Sequence, residues 1–539
     1  MSRLLPPLLL AYVASSISAL SLPPLTQFIP VSQLRQSQKP LYSALDVWIE
    51  NEESIATDKL LANVKPWGRN VEGGRGVADG SVVASPSTEH PDYWYQWVRD
   101  AAIATNTLVN MYTDSPSSKL SSSLSTILDA YLSLQAKLQH TSNPSGSFDD
   151  LSGLGEPKFL VDGTAFTASW GRPQRDGPAL RAITLISYLR AYNASHPSLW
   201  NSREGEDFYG LLYSAEMPAS SVIKADLEYV SHSWDKTGFD LWEEVEGMHF
   251  FTAMVQLHAL REGSQIASAF GDTGAAEWYA TQASLMTKYV KRFWNKKKGH
   301  LVETLWSPRS GLDCGLLLGS LHALPSEEVG GDNQAVFPPW SDEVLISLLE
   351  FVKDQKSRFP INNKQYATDE DEDDQEDGRF VAEGSKALFE GTGIGRYPED
   401  VYDGYGNSPN GGNPWFLCTS SAAEILYRAA ARLSATSNLT ITARGLPFYS
   451  ALLSTSSLDV EENDTYGPGD VVFHSIVERL RLVGDEFLEV VKMHVDVDGS
   501  MSEQFDAVTG FMRGAKDLSW SYGAFLGAVR ARQALNGVA

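Results

Sequence analysis

Apolar positions recur along this chain at helical intervals. In 120-LSSSLSTILDAYLSLQAKL-138 they fall at 120, 124, 127, 128, 131, 134 and 138; in 275-AAEWYATQASLMTKYVKRFW-294 they fall at 278, 279, 285, 286, 289, 290 and 293. Both runs follow the 3.6-residue period of a helix with one buried face. The same pattern predicts helices over roughly 40–62, 98–112, 177–192, 218–231, 248–268, 310–322, 341–354, 413–433, 445–457, 470–493 and 517–536. Loops rich in glycine, proline and aromatic residues join them, and strand signals are few and short. About a dozen helices with little sheet point to an all-α protein. No Ser/Thr/Pro stalk or Gly/Ser tract divides the chain. The periodicity leaves the packing open between one closed ring of helix pairs and two separate bundles.

Composition narrows the class. With 539 residues, 42% of them apolar, the chain can bury a large core and is not a disordered protein. Its formal charge of −25 makes nucleic acid and anionic membrane surfaces poor partners. Residues 1–19, with Arg3, the apolar run Leu4–Val13 and small residues to Ala19, read as a secretory signal peptide. No later run is long and apolar enough to span a bilayer. The expected location is outside the cell, with a vacuole as the alternative, and the sequons at Asn193, Asn438 and Asn463 are candidates for glycosylated surface loops. Only two cysteines are present, and Cys418, in an apolar helical run, is expected to be a buried free thiol. The acidic run 368-TDEDEDDQEDG-378 lacks the spaced glycine and closing glutamate of a calcium loop and reads as a solvated surface segment. The histidines show no metal-ligand spacing, and His249 reads as a packing residue; neither a metal nor a cofactor is implied.

The candidate chemistry lies between the helices. Loops at 91–103, 167–181, 238–251, 395–416 and 499–522 crowd Trp, Tyr, Arg and Asp together. Aromatic faces stack on the apolar face of a sugar ring, while Arg and Asp hydrogen-bond its hydroxyls. In 238-GFDLWEEVEGMHFF-251 two adjacent glutamates sit among large apolar residues. Burial there would favour a protonated carboxyl able to act as a general acid; two exposed glutamates at a helix start are the plainer alternative. An inverting glycosidase needs a second carboxylate roughly 6.5–9.5 Å away to activate water. Glu503, between Ser502 and Gln504, is the candidate, and its polar neighbours are expected to keep it ionised.

These motifs, VASPSTEHPDYWYQWVRD, SWGRPQRDGPALR, DLWEEV, GRYPEDVY with NPWFLCT, and SMSEQFD with DLSWSY, resemble in content and order those of the fungal glucoamylases, glycoside hydrolase family 15. The resemblance spans roughly residues 60 to 535 and implies one catalytic domain over 61–539, an (α/α)6 barrel (a six-hairpin toroid), with residues 20–60 packing on it as an N-terminal segment. It implies inverting release of β-D-glucose from non-reducing ends of α-1,4 and, more slowly, α-1,6 glucans, by a monomer whose partners are α-glucans and maltooligosaccharides. By the same resemblance Glu243 is the general acid and Glu503 the general base. Glu244 and Arg396 bind sugar hydroxyls, Asp240 supports the acid, and Arg99 and Asp100 grip the terminal glucose. Tyr93, Trp97, Trp170 and Trp415 line the pocket. No starch-binding domain follows the DLSWSY helix, so weak adsorption to raw starch is expected. The segment between Tyr402 and Asn413 looks longer than the family's. Two other readings remain: a related toroid α-glucosidase acting on trehalose or dextran-type substrates, and a carbohydrate-binding protein without catalysis.

Overall fold

Ser43 starts the first helix with a reciprocal cap. Its hydroxyl accepts the Asp46 N–H at 3.1 Å, and the Asp46 carboxylate accepts the Ser43 N–H at 3.0 Å, so α1 (Ala44–Ala62) begins with its first donors satisfied. The computed structural model describes residues 43–72, 76–114, 119–326, 335–363 and 387–538. The expected leader at 1–19, the stretch 20–42 and the acidic run 368–378 lie outside them. Among the described residues there follow α2 (Val98–Asp114), α3 (Lys119–Gln139), α4 (Asp176–Ser195), α5 (Glu206–Leu212), α6 (Val222–Ser231), α7 (Phe250–Ala269), α8 (Thr273–Val290), α9 (Cys314–His322), α10 (Asp342–Arg358), α11 (Phe416–Thr436), α12 (Leu446–Leu452), α13 (Val471–His494) and α14 (Ser519–Val538).

Packing settles the question that periodicity left open. Helix α2 packs on α4, α4 on α7, α7 on α9, α9 on α11, α11 on α14, and α14 returns to α2. Outside this ring α1 lies against α14, α3 against α2, α6 against α4 and α7, α8 against α7, α10 against α9, and α13 against α11. Outer and inner helices alternate along the chain, giving a closed (α/α)6 ring in one domain. The two layers differ in pattern for a physical reason. Helix α13 faces the core on one side only and buries a stripe that includes Phe473, Ile476, Leu480, Val483 and Phe487. Helix α4 is enclosed on all sides, and every residue from Asp176 to Ile186 is buried. Helix α5 was not expected; at seven residues, with only Tyr209 and Leu212 buried, it is too short to show a period.

One expectation is overturned. Cys418 is not a free thiol: it is bridged to Cys314, with Cα atoms 5.7 Å apart. The two are separated by 104 residues, but the ring sets the starts of α9 and α11 side by side. His249 is buried, as a packing residue would be, with its ring nitrogens at 2.9 Å from the Thr304 hydroxyl and 3.0 Å from the Gly238 carbonyl.

Candidate active site

All six inner helices start at the same end of the ring, and the loops that feed them are braced by short antiparallel ribbons. Tyr95–Trp97 pairs with Lys158–Leu160 ahead of α2, and Ser502–Phe505 pairs with Met512–Lys516 ahead of α14. The positive ends of six helix dipoles make this end favourable for carboxylates and hydroxyl oxygens.

The paired glutamates sit on a tight turn that Asp240 organises. Asp240 Oδ1 accepts the N–H of Glu244 at 2.7 Å and of Val245 at 2.8 Å, and its carbonyl accepts the N–H of Glu243 at 2.9 Å. Glu243 itself lies at φ +67°, a left-handed conformation uncommon for a side chain of this size. That twist sends the two side chains different ways. Glu243 Oε1 accepts Trp97 Nε1 at 2.7 Å and Gln174 Nε2 at 3.0 Å, with the Arg99 guanidinium at 3.5 Å. Glu244 instead meets Arg396 at 2.9 Å, Arg309 at 3.2 Å and the Tyr397 hydroxyl. Burial alone would push Glu244 up, but Arg396, Tyr397 and Arg309 outweigh it and hold the carboxyl below its usual range. Gly171 lets the 170 loop close over the turn: a Cβ there would stand 2.9 Å from the Glu243 carbonyl oxygen and 2.7 Å from the Phe239 ring.

Glu503 stands in the ribbon before α14, and its surroundings correct the expectation. Its sequence neighbours are polar, yet the carboxyl is fully buried. The Tyr93 hydroxyl donates to Oε1 at 2.7 Å and the Tyr402 hydroxyl to Oε2 at 3.2 Å. Burial pushes Glu503 up to about 7, against the opposing pull of the two phenols and Arg396. Gly514, at φ +71°, makes room for it, because a Cβ there would lie 2.2 Å from Oε2. Tyr93 and Trp97 touch edge to face at 5.4 Å, so one aromatic pair carries a hydrogen bond to each of the two carboxyls.

Arg99 and Asp100 open α2 at the floor. Arg99 bonds Gln174 at 2.8 Å and Asp176 at 3.0 Å and faces Asp100 at 3.6 Å. Arg99 Nε and Asp100 Oδ2 are buried without a hydrogen-bond partner. Burial raises Asp100 to about 6; Arg99 opposes this, while Glu243 adds to it. Arg396 is clamped by Asp400 at 2.6 and 2.9 Å and surrounded by the rings of Trp242, Tyr397, Tyr402 and Trp415. Trp170 packs on Trp97 with ring centres 6.2 Å apart and stays 38% exposed. Trp415 is buried, with Nε1 unpaired. The expected site residues therefore gather at one end of the ring. Gln174, Tyr397, Asp400 and Tyr402 join them; all four lie inside the quoted motifs, and only their contacts single them out.

Elsewhere, Asn438 and Asn463 are exposed outside the helices, whereas Asn193 lies in the last turn of α4 and accepts the Tyr209 hydroxyl at 3.2 Å. Among the described residues no cluster of His, Cys, Asp or Glu is placed to hold a metal ion, and no helix is long and apolar enough to cross a membrane.

The model of glycosyl hydrolases family 15 matches residues 54–530. Glucoamylase GLU1 of Saccharomycopsis fibuligera is 36% identical over 92% of this chain and 92% of its own. A solved glucoamylase structure from the same organism superposes with a TM-score of 0.78 at 36% identity, covering 92% of this chain and 97% of that one. A family 15 glucoamylase from Hypocrea jecorina gives 0.76 at 35% identity, over 91% of this chain and 73% of that one.

Proposed function

The chain belongs to glycosyl hydrolases family 15, and from that premise we infer that it is a glucan 1,4-alpha-glucosidase working from chain ends on starch dextrins and maltooligosaccharides. It releases β-D-glucose with inversion, attacking α-1,6 links more slowly. Glu243 donates the proton to the departing glycosidic oxygen, and Glu503 takes a proton from the attacking water. What supports the two roles is the shared Tyr93–Trp97 pair: Trp97 fixes Glu243, and Tyr93 fixes Glu503 on the neighbouring wall. Two phenols donating to both Glu503 oxygens suit a carboxylate that accepts protons, and burial raises its basicity toward neutral. Arg99 Nε and Asp100 Oδ2, which face each other at 3.6 Å and have no hydrogen bond, suit the hydroxyls of a terminal glucose at the floor. A sugar lacking those hydroxyls would leave them buried and unmatched, which excludes it. Glu244 and Arg396 hold the next residue outward, with Trp97 and Trp170 as the wall.

The alternative of a trehalose or dextran-type substrate is not favoured: curated relatives covering nine-tenths of this chain are named glucoamylases. The leader-like segment at residues 1–19 supports secretion; a Saccharomyces cerevisiae relative, 33% identical, is named an intracellular, sporulation-specific glucoamylase, so the family by itself does not fix the compartment. Incubation with maltoheptaose, followed by NMR, tests the reading. Glucose should be the sole early product and appear as the β anomer. Early maltose or maltotriose, or glucose born α, would reject it.

A further inference from the structure

Lys158 is only 2% exposed, and its ammonium is packed against aromatic rings. Nζ lies 3.3 Å from the ring centre of Trp170, 4.1 Å from Phe166, 4.3 Å from Tyr95 and 4.4 Å from Trp97. Filling this box with an apolar side chain would avoid the desolvation that a buried cation suffers. Four negative ring faces offset that loss in part. Two of the four rings belong to the site, and one of them holds Glu243. Lys158 is also the direct ribbon partner of Trp97, so its backbone is tied to the strand that presents that indole.

We propose that Lys158 is a positioning residue for the acid: its charge locks Trp97 and Trp170 over the reacting bond and acts on Glu243 through the Trp97 indole. A cation against an indole face draws electron density from the ring and strengthens its N–H as a donor, here the donor to Glu243 Oε1. The groups facing Lys158 are Glu243, Asp92 and Glu156, with Arg172 opposing them; those facing Glu243 are Arg99, Asp100 and Lys158, with Glu244 adjacent in sequence. Burial lowers Lys158 to about 8, and Glu243 is the strongest of the groups opposing that fall, so the ammonium is charged at acid and neutral pH.

The inference rests on the glucosidase reading, and the experiment separates the two. Wild type, Lys158→Met and Lys158→Arg are assayed on maltose from pH 3 to 8. A wild type inactive on maltose sinks the functional reading itself. With an active wild type, Lys158→Met should lose about tenfold in kcat with KM within about twofold, because the substrate contacts remain. Lys158→Arg, which keeps the cation, should restore kcat to within about threefold of wild type. Unchanged kcat in Lys158→Met, or an arginine variant that behaves like the methionine one, overturns the proposal. A second readout does not depend on the folding of the methionine variant. Wild-type tryptophan fluorescence should show a step near pH 8 as the ammonium on Trp170 discharges, and Lys158→Arg should abolish it. Absence of that step in the wild type, or its persistence in the arginine variant, is likewise fatal.

Discussion

Where the inner helices begin, Arg99, Asp100 and Trp415 carry buried polar atoms with no hydrogen-bond partner. Farther along the ring axis, toward the other end of those helices, all six line a cavity of about 250 Å³ in which charged side chains pair with one another. There Glu262 accepts Arg190 at 2.5 Å, His258 at 3.2 Å and the Ser326 N–H at 2.8 Å, while Arg428 is paired with Glu424 at 2.6 Å. Trp520 lines this cavity and has Arg99 5.9 Å from its ring on the way to the site. The titrations diverge accordingly. Asp100 is raised to about 6 and Glu503 to about 7, chiefly by burial. Glu262 is also buried, but His258, Arg190 and Ser326 outweigh that and bring it down to about 2. Charged residues in one ring are thus treated differently: around Glu262 their contacts are completed within the fold, whereas at the candidate site Arg99 Nε and Asp100 Oδ2 are left without a hydrogen bond.

The largest expected effect breaks the open end. Glu243→Gln or Glu503→Gln should lower kcat on maltose roughly 10²–10⁴-fold with little change in far-UV CD. Next comes the closed end: Glu262→Gln removes the buried carboxylate that Arg190 and His258 both meet and should cost about 3 kcal/mol in urea unfolding, while kcat/KM stays within about twofold. Equal damage to activity would erase the contrast. Asp100→Asn should lower kcat/KM on the order of 10- to 100-fold, the loss of a charged hydrogen bond to sugar.

The pH dependence of Tm sharpens the comparison. Glu262 lies below its ordinary 4.5, so its contribution is complete above pH 4.5 and is lost as pH falls toward 2. Glu503 lies above 4.5, so the fold favours its protonated form; that contribution is complete below pH 4.5 and lost as pH rises through about 7. Glu503→Gln should therefore gain about 1–3 kcal/mol over wild type near pH 7 and none near pH 4. Smallest is Tyr402→Phe. Removing one donor disfavours the carboxylate and should move the acidic limb of kcat/KM up by a few tenths of a pH unit.

The helices were legible because apolar residues recur along them at helical intervals, most clearly in outer ones such as α8 and α13 that bury one face and wet the other. The site residues were legible through motifs in their order along the chain. The surroundings of Glu503 were not, because Tyr93 and Tyr402 reach it from 410 and 101 residues away and Gly514 reaches it across a ribbon. The Cys314–Cys418 bridge escaped for the same reason, since each cysteine sits in its own helix with nothing local to announce the other.

By itself the sequence determined which segments are helical and which residues are candidates for the chemistry, since periodicity and side-chain type are local properties. Ring closure, the sharing of Tyr93 and Trp97 between two distant carboxyls, and the caging of Lys158 were decided only in three dimensions. The field around a carboxyl comes from whatever packs against it, and in a closed ring those neighbours arrive from every part of the chain.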